Sequence, residues 1–312
     1  MRLLVTGGAG FIGAHLTRAA RTAGHDVVVL DDLSTSSWAS IEGLDVTRIE
    51  GSILDEALLE QAMDSVDAVA HLAALASVPA SVADPVGTHA VNVTGTVAVL
   101  RRAAEQGAHV SVASSSAVYG RNQAEVLGER DWVRPMSPYG TSKLAAEQYA
   151  LAFQDSYGLA SAAFRFFNVY GPGQPVDHVY AAVVPAFVDA LLAGRALTVH
   201  GDGGQSRDFV NVATVCAVLL DAAERHLTCP EPVNLANGSG TTLLDLVAAL
   251  EQVTGRTAQL HHETVRVGDV RRSCADVSAL RALFPDAPQV TLTAGLAQLV
   301  RSAEGRPRST PA

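Results

Sequence analysis

The first apolar run, Arg2-Leu3-Leu4-Val5-Thr6, is short and continuous, the pattern of a strand buried on both faces. An amphipathic stretch to about Ala23 follows, and Val27-Val28-Val29-Leu30 repeats the buried run. The alternation continues with strands over 46–50, 68–71, 109–113 and 161–166, and helices over 54–63, 84–106 and 138–157. Such a chain predicts an α/β fold whose parallel sheet is covered by helices on both faces. Beyond residue 168 the pattern loosens, with helices expected over 183–193, 214–225, 243–253, 278–283 and 293–303. Residues 305–312, made mostly of Arg, Pro, Ser and Thr, read as a disordered tail. There is no internal repeat.

Gly7-Gly8-Ala9-Gly10-Phe11-Ile12-Gly13 joins the first strand to the first helix, and the second strand ends in Asp31-Asp32. Strand, glycine turn, helix, strand and acid is the Rossmann layout of a doubly wound sheet that binds a dinucleotide. Glycines at 7, 10 and 13 allow a tight turn and close backbone approach, and the freed helix amides then face a pyrophosphate. Asp31 is expected on the adenosine ribose, where it repels a 2′-phosphate and favours NAD over NADP. The nearest cations, Arg18 and Arg48, are not placed to reverse that preference. The small residues of His71-Leu72-Ala73-Ala74 let backbone approach a cofactor, and Ser114-Ser115-Ser116 ends the fifth strand in hydroxyls.

Lys143 is the one lysine in a chain that holds 21 arginines. It lies in Ser137-Pro138-Tyr139-Gly140-Thr141-Ser142-Lys143, where Ser137 suits an N-cap and Pro138 the first helical position. Tyr139 and Lys143, four apart, share a helix face, so the ammonium can lie beneath the phenol and lower its pKa. The pair is a candidate proton-transfer device, with a serine hydroxyl from the fifth strand beside it.

At 312 residues the chain can form one large α/β unit or two lobes, and 48% hydrophobic against 17% charged content reads as soluble. A net charge of −10, with no basic cluster longer than a pair such as Arg271-Arg272, argues against nucleic acid as a partner. Cys216, Cys229 and Cys274 are odd in number and lack metal-type spacing, so reduced thiols of a cytoplasmic protein are expected, with no metal. A strand at the very start leaves no place for a signal peptide, and no apolar run suggests a membrane span.

Thr6–Gly13, Leu30–Ser34, His71–Ala74, Asn92–Thr96, Ser114–Gly120, Tyr139–Lys143, Phe166–Pro172, Gly201–Val210 and Val265–Asp276 together resemble one family over residues 1–300. It is the extended short-chain dehydrogenases/reductases, and within it the nucleotide-sugar epimerases of the UDP-glucose 4-epimerase type. The resemblance implies an NAD-binding domain over 1–168 with a returning segment at about 209–236. It also implies a smaller C-terminal α/β substrate-binding lobe over 169–208 and 237–304.

Cofactor contacts carried over from the family are Gly7, Gly10, Phe11, Ile12 and Gly13, then Asp31, Asp32, Leu33 and Ser34. Ser52, Ile53, Leu72, Ala73, Ala74, Asn92 and Phe166 complete them, with Tyr139 and Lys143. In the implied reaction Tyr139 exchanges a proton with the sugar 4-hydroxyl, Ser115 hydrogen-bonds that hydroxyl, and Lys143 tunes Tyr139 and binds the nicotinamide ribose. Substrate positions are Ser77, Ser115, Ser116, Tyr139 and Asn168, then Val184, Val199 and Gln205. Arg207 and Arg266 match the diphosphate arginines, and Asp269 the acid on the uridine ribose.

The family's gate position is Ser273, small enough to admit an N-acetyl group. UDP-Glc/Gal, UDP-GlcNAc/GalNAc and UDP-GlcA/GalA all stay open as substrates. Another nucleotide-sugar oxidoreductase or dehydratase, or a non-catalytic NAD-binding regulator, are the alternatives. Ala117 stands where related dehydratases and decarboxylases place a glutamate. The Cys…His pair of epimerase-reductases and the Arg-Pro-Asp loop of several uronate epimerases are also missing. Ser52 replaces an adenine-reading aspartate, and Thr214 is expected to cap its helix in place of an acidic pair. A homodimer is implied through helices 84–106 and 138–157, with Val97, Val99, Leu144, Tyr149 and Phe153 as candidate contacts.

Overall fold

The computed structural model describes residues 1–176, 182–265 and 270–304. The first six strands are β1 (Arg2–Thr6), β2 (Asp26–Asp31), β3 (Thr47–Glu50), β4 (Ala68–His71), β5 (His109–Ser115) and β6 (Ser161–Phe166). Short strands β7 (Asn168–Tyr170), β8 (Leu197–His200) and β9 (Ser206–Asn211) follow, then β10 (Val233–Leu235), β11 (Gly240–Thr242) and β12 (Leu260–Glu263). The large sheet runs β10-β6-β5-β4-β1-β2-β3, with every pair parallel. Strand order therefore reverses between β1 and β4, and the crevice outside the carboxyl ends there is where such sheets bind ligands.

The helices are α1 (Phe11–Thr22), α2 (Glu56–Met63), α3 (Val78–Ala83), α4 (Pro85–His89), α5 (Thr96–Gln106) and α6 (Pro138–Tyr157). They continue with α7 (Val183–Leu192), α8 (Val212–Glu224), α9 (Leu243–Thr254), α10 (Ser278–Leu283) and α11 (Leu292–Glu304). One face of the sheet buries Leu16 and Ala20 of α1 with Val215 and Leu219 of α8. The other buries Leu59 and Met63 of α2, Val99 and Leu100 of α5, and Ala146 and Phe153 of α6. Each fully buried aliphatic or aromatic side chain contributes about 1.5–3 kcal/mol, which makes these two layers the rigid base of the site. Among the described residues no helix is long and apolar enough to cross a membrane.

The expected helix over 84–106 is in fact a relay of shorter pieces. Pro85 has no amide to continue α3, and Asp84 instead accepts from Gly87 N at 2.9 Å to start α4. A π-helical turn over Ala90–Gly95 then leads into α5. The cap expected of Thr214 belongs to Asn211, whose side chain accepts from Ala213 N at 2.9 Å; Thr214 donates to Pro288 O at 2.6 Å instead. Val99 and Phe153, expected at a dimer face, are buried against the sheet, because these α5 and α6 positions face inward. Tyr149 stays exposed, as do Val82 on α3 and Val86 on α4.

The C-terminal part is built on two small sheets, β11-β9-β7 and β12-β8. Its own core gathers Phe187 of α7, Leu246 of α9 and Leu296 of α11. β10 returns to the edge of the large sheet beside β6. The Asp208 carboxylate anchors this passage, accepting from the amides of Asn237 (2.8 Å), Gly238 (3.0 Å), Ser239 (3.1 Å) and Ala275 (3.2 Å). The loop after β5 is held to the same strip, with Leu127 N on Cys274 O at 2.8 Å and Asp276 N on Leu127 O at 2.9 Å.

Candidate active site

The glycine turn packs against the end of β4. Gly7 has φ +69°, and a Cβ there would lie 2.8 Å from Ala73 N; one at Gly13 would collide with Gly7 O. Both positions require glycine. At Gly10 a Cβ would meet only Gly7 O, at 3.3 Å, and would otherwise project into a cleft of about 470 Å³. The first internal bond of α1 runs from Ala14 N to Gly10 O at 2.8 Å, so the amides of Phe11, Ile12 and Gly13 precede it and are available to an anion. This cradle fits a dinucleotide pyrophosphate.

Asp31 is buried and accepts from Ala9 N, Leu33 N and the Ser36 hydroxyl, each at 2.9 Å. Three of roughly four acceptor directions of the carboxylate are therefore in use. It braces the glycine turn as well as facing the cleft. Asp32 holds Ser34 through its amide (3.0 Å) and hydroxyl (2.6 Å), and Leu33 between them takes φ +56°.

The candidate catalytic side chains come from β5 and α6. Ser137 caps α6, accepting from Gly140 N at 3.1 Å, and Pro138 opens the helix as expected from the sequence. Tyr139 N donates to Ser81 Oγ on α3 at 3.0 Å, so two helices place the tyrosine. The Ser115 hydroxyl hydrogen-bonds the Tyr139 phenol, and Ser115 Oγ also accepts from Ala117 N at 3.1 Å. Lys143 Nζ donates to Ala113 O at 2.8 Å. Burial pushes the Tyr139 phenol up from its ordinary value, with Ser115 opposing, and pushes Lys143 down to about 8. The lowered phenol expected from Lys143 is thus not a property of the protein alone, because burial of the phenol outweighs what favours its ionised form.

Asn92, on the π-helical turn, clamps the segment after β4: its Oδ1 accepts from Leu75 N at 2.8 Å and its Nδ2 donates to Leu75 O at 3.1 Å. Behind the serines lies a buried ion pair, Glu147 with Arg165 at 2.7 Å. Ser114 donates to Glu147 at 2.8 Å, and Arg165 donates to Tyr119 Oη at 3.0 Å. Tyr119 in turn donates to Asn234 Oδ1 at 2.7 Å. Breaking a pair buried this deeply is strongly destabilising, so the network holds β5, β6 and α6 in one register.

Most of the expected cofactor positions line this cleft. Gly7, Gly10, Phe11, Ile12 and Gly13 line it, as do Asp31, Asp32, Ser34, Ser52 and Ile53, the residues expected at the adenosine. Leu72, Ala73, Ala74 and Phe166 line it too, with Ser115, Tyr139, Lys143 and Asn168. The remaining substrate positions are not gathered there. Ser77 caps α3 by accepting from Ala80 N at 3.2 Å, and Ser116 opens the short helical turn after β5. The side chains of Val184 and Val199 belong to the core of the C-terminal part. Gln205 donates to His200 O, and Arg207 to Val270 O, both at 2.7 Å. Ser273 is half-buried, next to the strip that holds Leu127. Arg266 and Asp269 lie outside the described residues.

Several lining residues gave no signal in the sequence. Leu75, Ala76, Val91 and Gln174 line the cleft, but they come from irregular or π-helical segments whose placement is tertiary. Ser36, which holds Asp31, sits in a run of serines and threonine where any one member could have reached the acid.

Residues 3–236 match the model of the NAD dependent epimerase/dehydratase family. The chain belongs to this family. A UDP-glucose 4-epimerase from Mycolicibacterium smegmatis is 35% identical over 307 residues, covering 96% of this chain and 97% of that protein. The solved UDP-N-acetylglucosamine 4-epimerase from Methanobrevibacter ruminantium, in complex with UDP-N-acetylmuramic acid, superimposes with TM-score 0.92 at 34% identity, covering 97% of this chain and 98% of the other. The Thermus thermophilus UDP-glucose 4-epimerase in complex with NAD gives TM-score 0.88 at 34% identity, with 98% and 99% covered. Other relatives carry out different reactions by name, among them a Xenopus tropicalis UDP-glucuronic acid decarboxylase at 30% identity and an NDP-hexosamine 5,6-dehydratase at 32%. This family member is therefore an enzyme whose cofactor is NAD, on an extended short-chain dehydrogenase/reductase fold.

The lysine environment yields a stability prediction. The folded value of Lys143 falls from 10.5 to about 8, so between those values the unfolded chain binds more protons. Its contribution is unfavourable at pH 7, shrinks as pH rises past about 8, and is gone above 10.5. Lys143→Met should therefore stabilise the cofactor-free protein at pH 7 by about 1–3 kcal/mol, after allowing for the lost bond to Ala113. Denaturant midpoints of the two proteins at pH 7 and near pH 10.5 measure it. A variant less stable than the wild type at pH 7 contradicts it.

Proposed function

We propose that the chain is a UDP-sugar 4-epimerase, inverting C4 through a transient 4-keto sugar. One observation supports this choice within the family. Ser115, Tyr139 and Lys143 meet at the β5 end of the cleft, whereas the carboxylates among its described lining residues, Asp31 and Asp32, stand at β2, three strands away. Loss of water or carboxylate calls for an acid near the reacting carbon, and Ala117 offers only a methyl group.

NAD, when bound, supplies the hydride acceptor that later returns the hydride to C4. In this reading Tyr139 takes the proton of the 4-hydroxyl, and Ser115, already bonded to the phenol, bonds the same hydroxyl. Burial holds the phenol neutral, so its deprotonated form depends on positive charge in the cleft, to which Lys143 contributes. Lys143 keeps its bond to Ala113 O and turns its other protons toward the nicotinamide ribose. Residues 1–168 with 209–236 serve as the NAD-binding domain and the rest as the nucleotide-sugar lobe. Arg207 and Arg266 hold the diphosphate, and Asp269 the uridine ribose.

UDP-Glc, UDP-GlcNAc and UDP-GlcA offered separately, with products read by NMR, test the reaction. The expected result is inversion at C4 in at least one of them, without net NADH and without a dehydrated product. Tyr139→Phe should lower turnover ~10²–10⁴-fold with NAD still bound. Turnover near that of the wild type would remove Tyr139 from the chemistry.

The small Ser273 favours a pocket that admits N-acetylhexosamines beside hexoses. Ser273→Tyr should cost UDP-GlcNAc roughly 1–3 kcal/mol in kcat/KM and UDP-Glc less. An unchanged ratio of the two values counts against Ser273 as the gate.

The exposed Tyr149, Val82 and Val86 give the α3, α4 and α6 side of the molecule an apolar character, and Val97 and Leu144 are half-buried. This face supports a symmetric homodimer. Sedimentation at micromolar concentration should return twice the 32.4 kDa chain mass, and a monomer mass refutes the pairing.

A further inference from the structure

His71, the last residue of β4, is buried and lies between two threonine hydroxyls. Its Nδ1 is 2.8 Å from Thr6 Oγ1 on β1, and its Nε2 is 2.9 Å from Thr96 Oγ1 at the start of α5. The positions of the protons follow from counting donors. Thr96 gives its one hydroxyl proton to Asn92 O at 2.7 Å, so toward His71 it can only accept. Nε2 therefore carries the imidazole proton. Nδ1 is then an acceptor, and Thr6 supplies the proton while its oxygen accepts from Ala73 N at 3.2 Å.

The chain continues on the far side. Asn92 Nδ2 donates to Ser142 Oγ at 2.9 Å, and Ser142 gives its proton to Tyr139 O at 2.8 Å. From Ala73, whose amide lies against Gly7, to the backbone of Tyr139, the bonds form two arms that meet in Asn92, one at its backbone carbonyl and one at its side-chain amide, and each hydroxyl donates once.

We propose that His71 is a positioning residue, held as the neutral Nε2–H tautomer, that couples the cofactor wall of the cleft to the helix carrying Tyr139. The coupling rests on the reading of Tyr139 as the acid–base group; the tautomer does not. In the imidazolium, Nδ1–H would face Thr6 Oγ1 and leave the threonine proton without an acceptor in a buried place. Burial and the nearby Lys143 charge both oppose that form, pushing the imidazole down to about 3. A histidine that merely filled space between two strands would have no need of a single tautomer, nor of a link reaching α6.

Two-bond ¹H–¹⁵N correlation spectra of the ¹⁵N-histidine-labelled, NAD-loaded full chain test the tautomer. The imidazole signal that His71→Gln removes should show the neutral Nε2–H pattern, unchanged from about pH 5.5 to 8. An Nδ1–H pattern, or protonation within that range, overturns the assignment. Thr96→Val and Thr96→Ser test the coupling. Thr96→Val should lower kcat on the order of tenfold with KM nearly unchanged, while Thr96→Ser, which keeps the hydroxyl, should stay within roughly threefold of the wild type. A wild-type kcat in Thr96→Val, or an equal loss in Thr96→Ser, overturns the coupling. A wild type inactive on every UDP-sugar would refute the epimerase reading and leave the tautomer assignment to the spectra.

Discussion

The site depends on a buried ammonium anchored on a backbone carbonyl. Lys143 Nζ reaches Ala113 O at 2.8 Å, and burial lowers its pKa to about 8. A charged group in such a place is held at the expense of folding free energy. For the bond to form, β5 must present Ala113 beneath α6, and α6 must begin at Ser137 so that residues 139 and 143 face the strand. Replacement by arginine would not preserve this geometry, since a planar guanidinium is larger and cannot lose its proton.

The same helix face extends one turn further to Glu147, which meets Arg165 of β6 and Ser114 of β5. The helix thus carries, in steps of four residues, the phenol, the ammonium and a buried carboxylate. Only the last is neutralised by a guanidinium, and it lies beyond the cleft lining. This division explains how the protein can tolerate an unfavourable lysine at the cleft. The strands and helix that place it are fixed by a separate, fully hydrogen-bonded network behind it. Asp208 does comparable work where the chain leaves and re-enters the large sheet, gathering four amides on one carboxylate.

The parts legible in the sequence were those governed by local rules. Ser137-Pro138 announces a helix start because a cap and a proline at the first position act within one turn. Gly7 and Gly13 announce the cradle because no Cβ fits there. The segment 84–106 was not legible as separate pieces. Its π-helical turn brings Asn92 to Leu75 and Ser142, partners 17 and 50 residues away. The small sheets leave little pattern in the sequence because their strands are three to six residues long, and β12 is exposed throughout. The inward turn of Val99 and Phe153 was equally hidden, since an apolar residue on a helix does not say which neighbour covers it.

The central claim is that Tyr139, Ser115 and Lys143 support removal and return of one hydride at the same carbon of one sugar. A UDP-sugar labelled with deuterium at C4, incubated with catalytic amounts of the NAD-loaded enzyme and an unlabelled UDP-sugar of different mass, tests it most directly. The account predicts inverted product that keeps deuterium at C4, with none transferred to the unlabelled sugar and none lost to water. Deuterium appearing in the second sugar or in solvent, or a product lacking the elements of water, would contradict it.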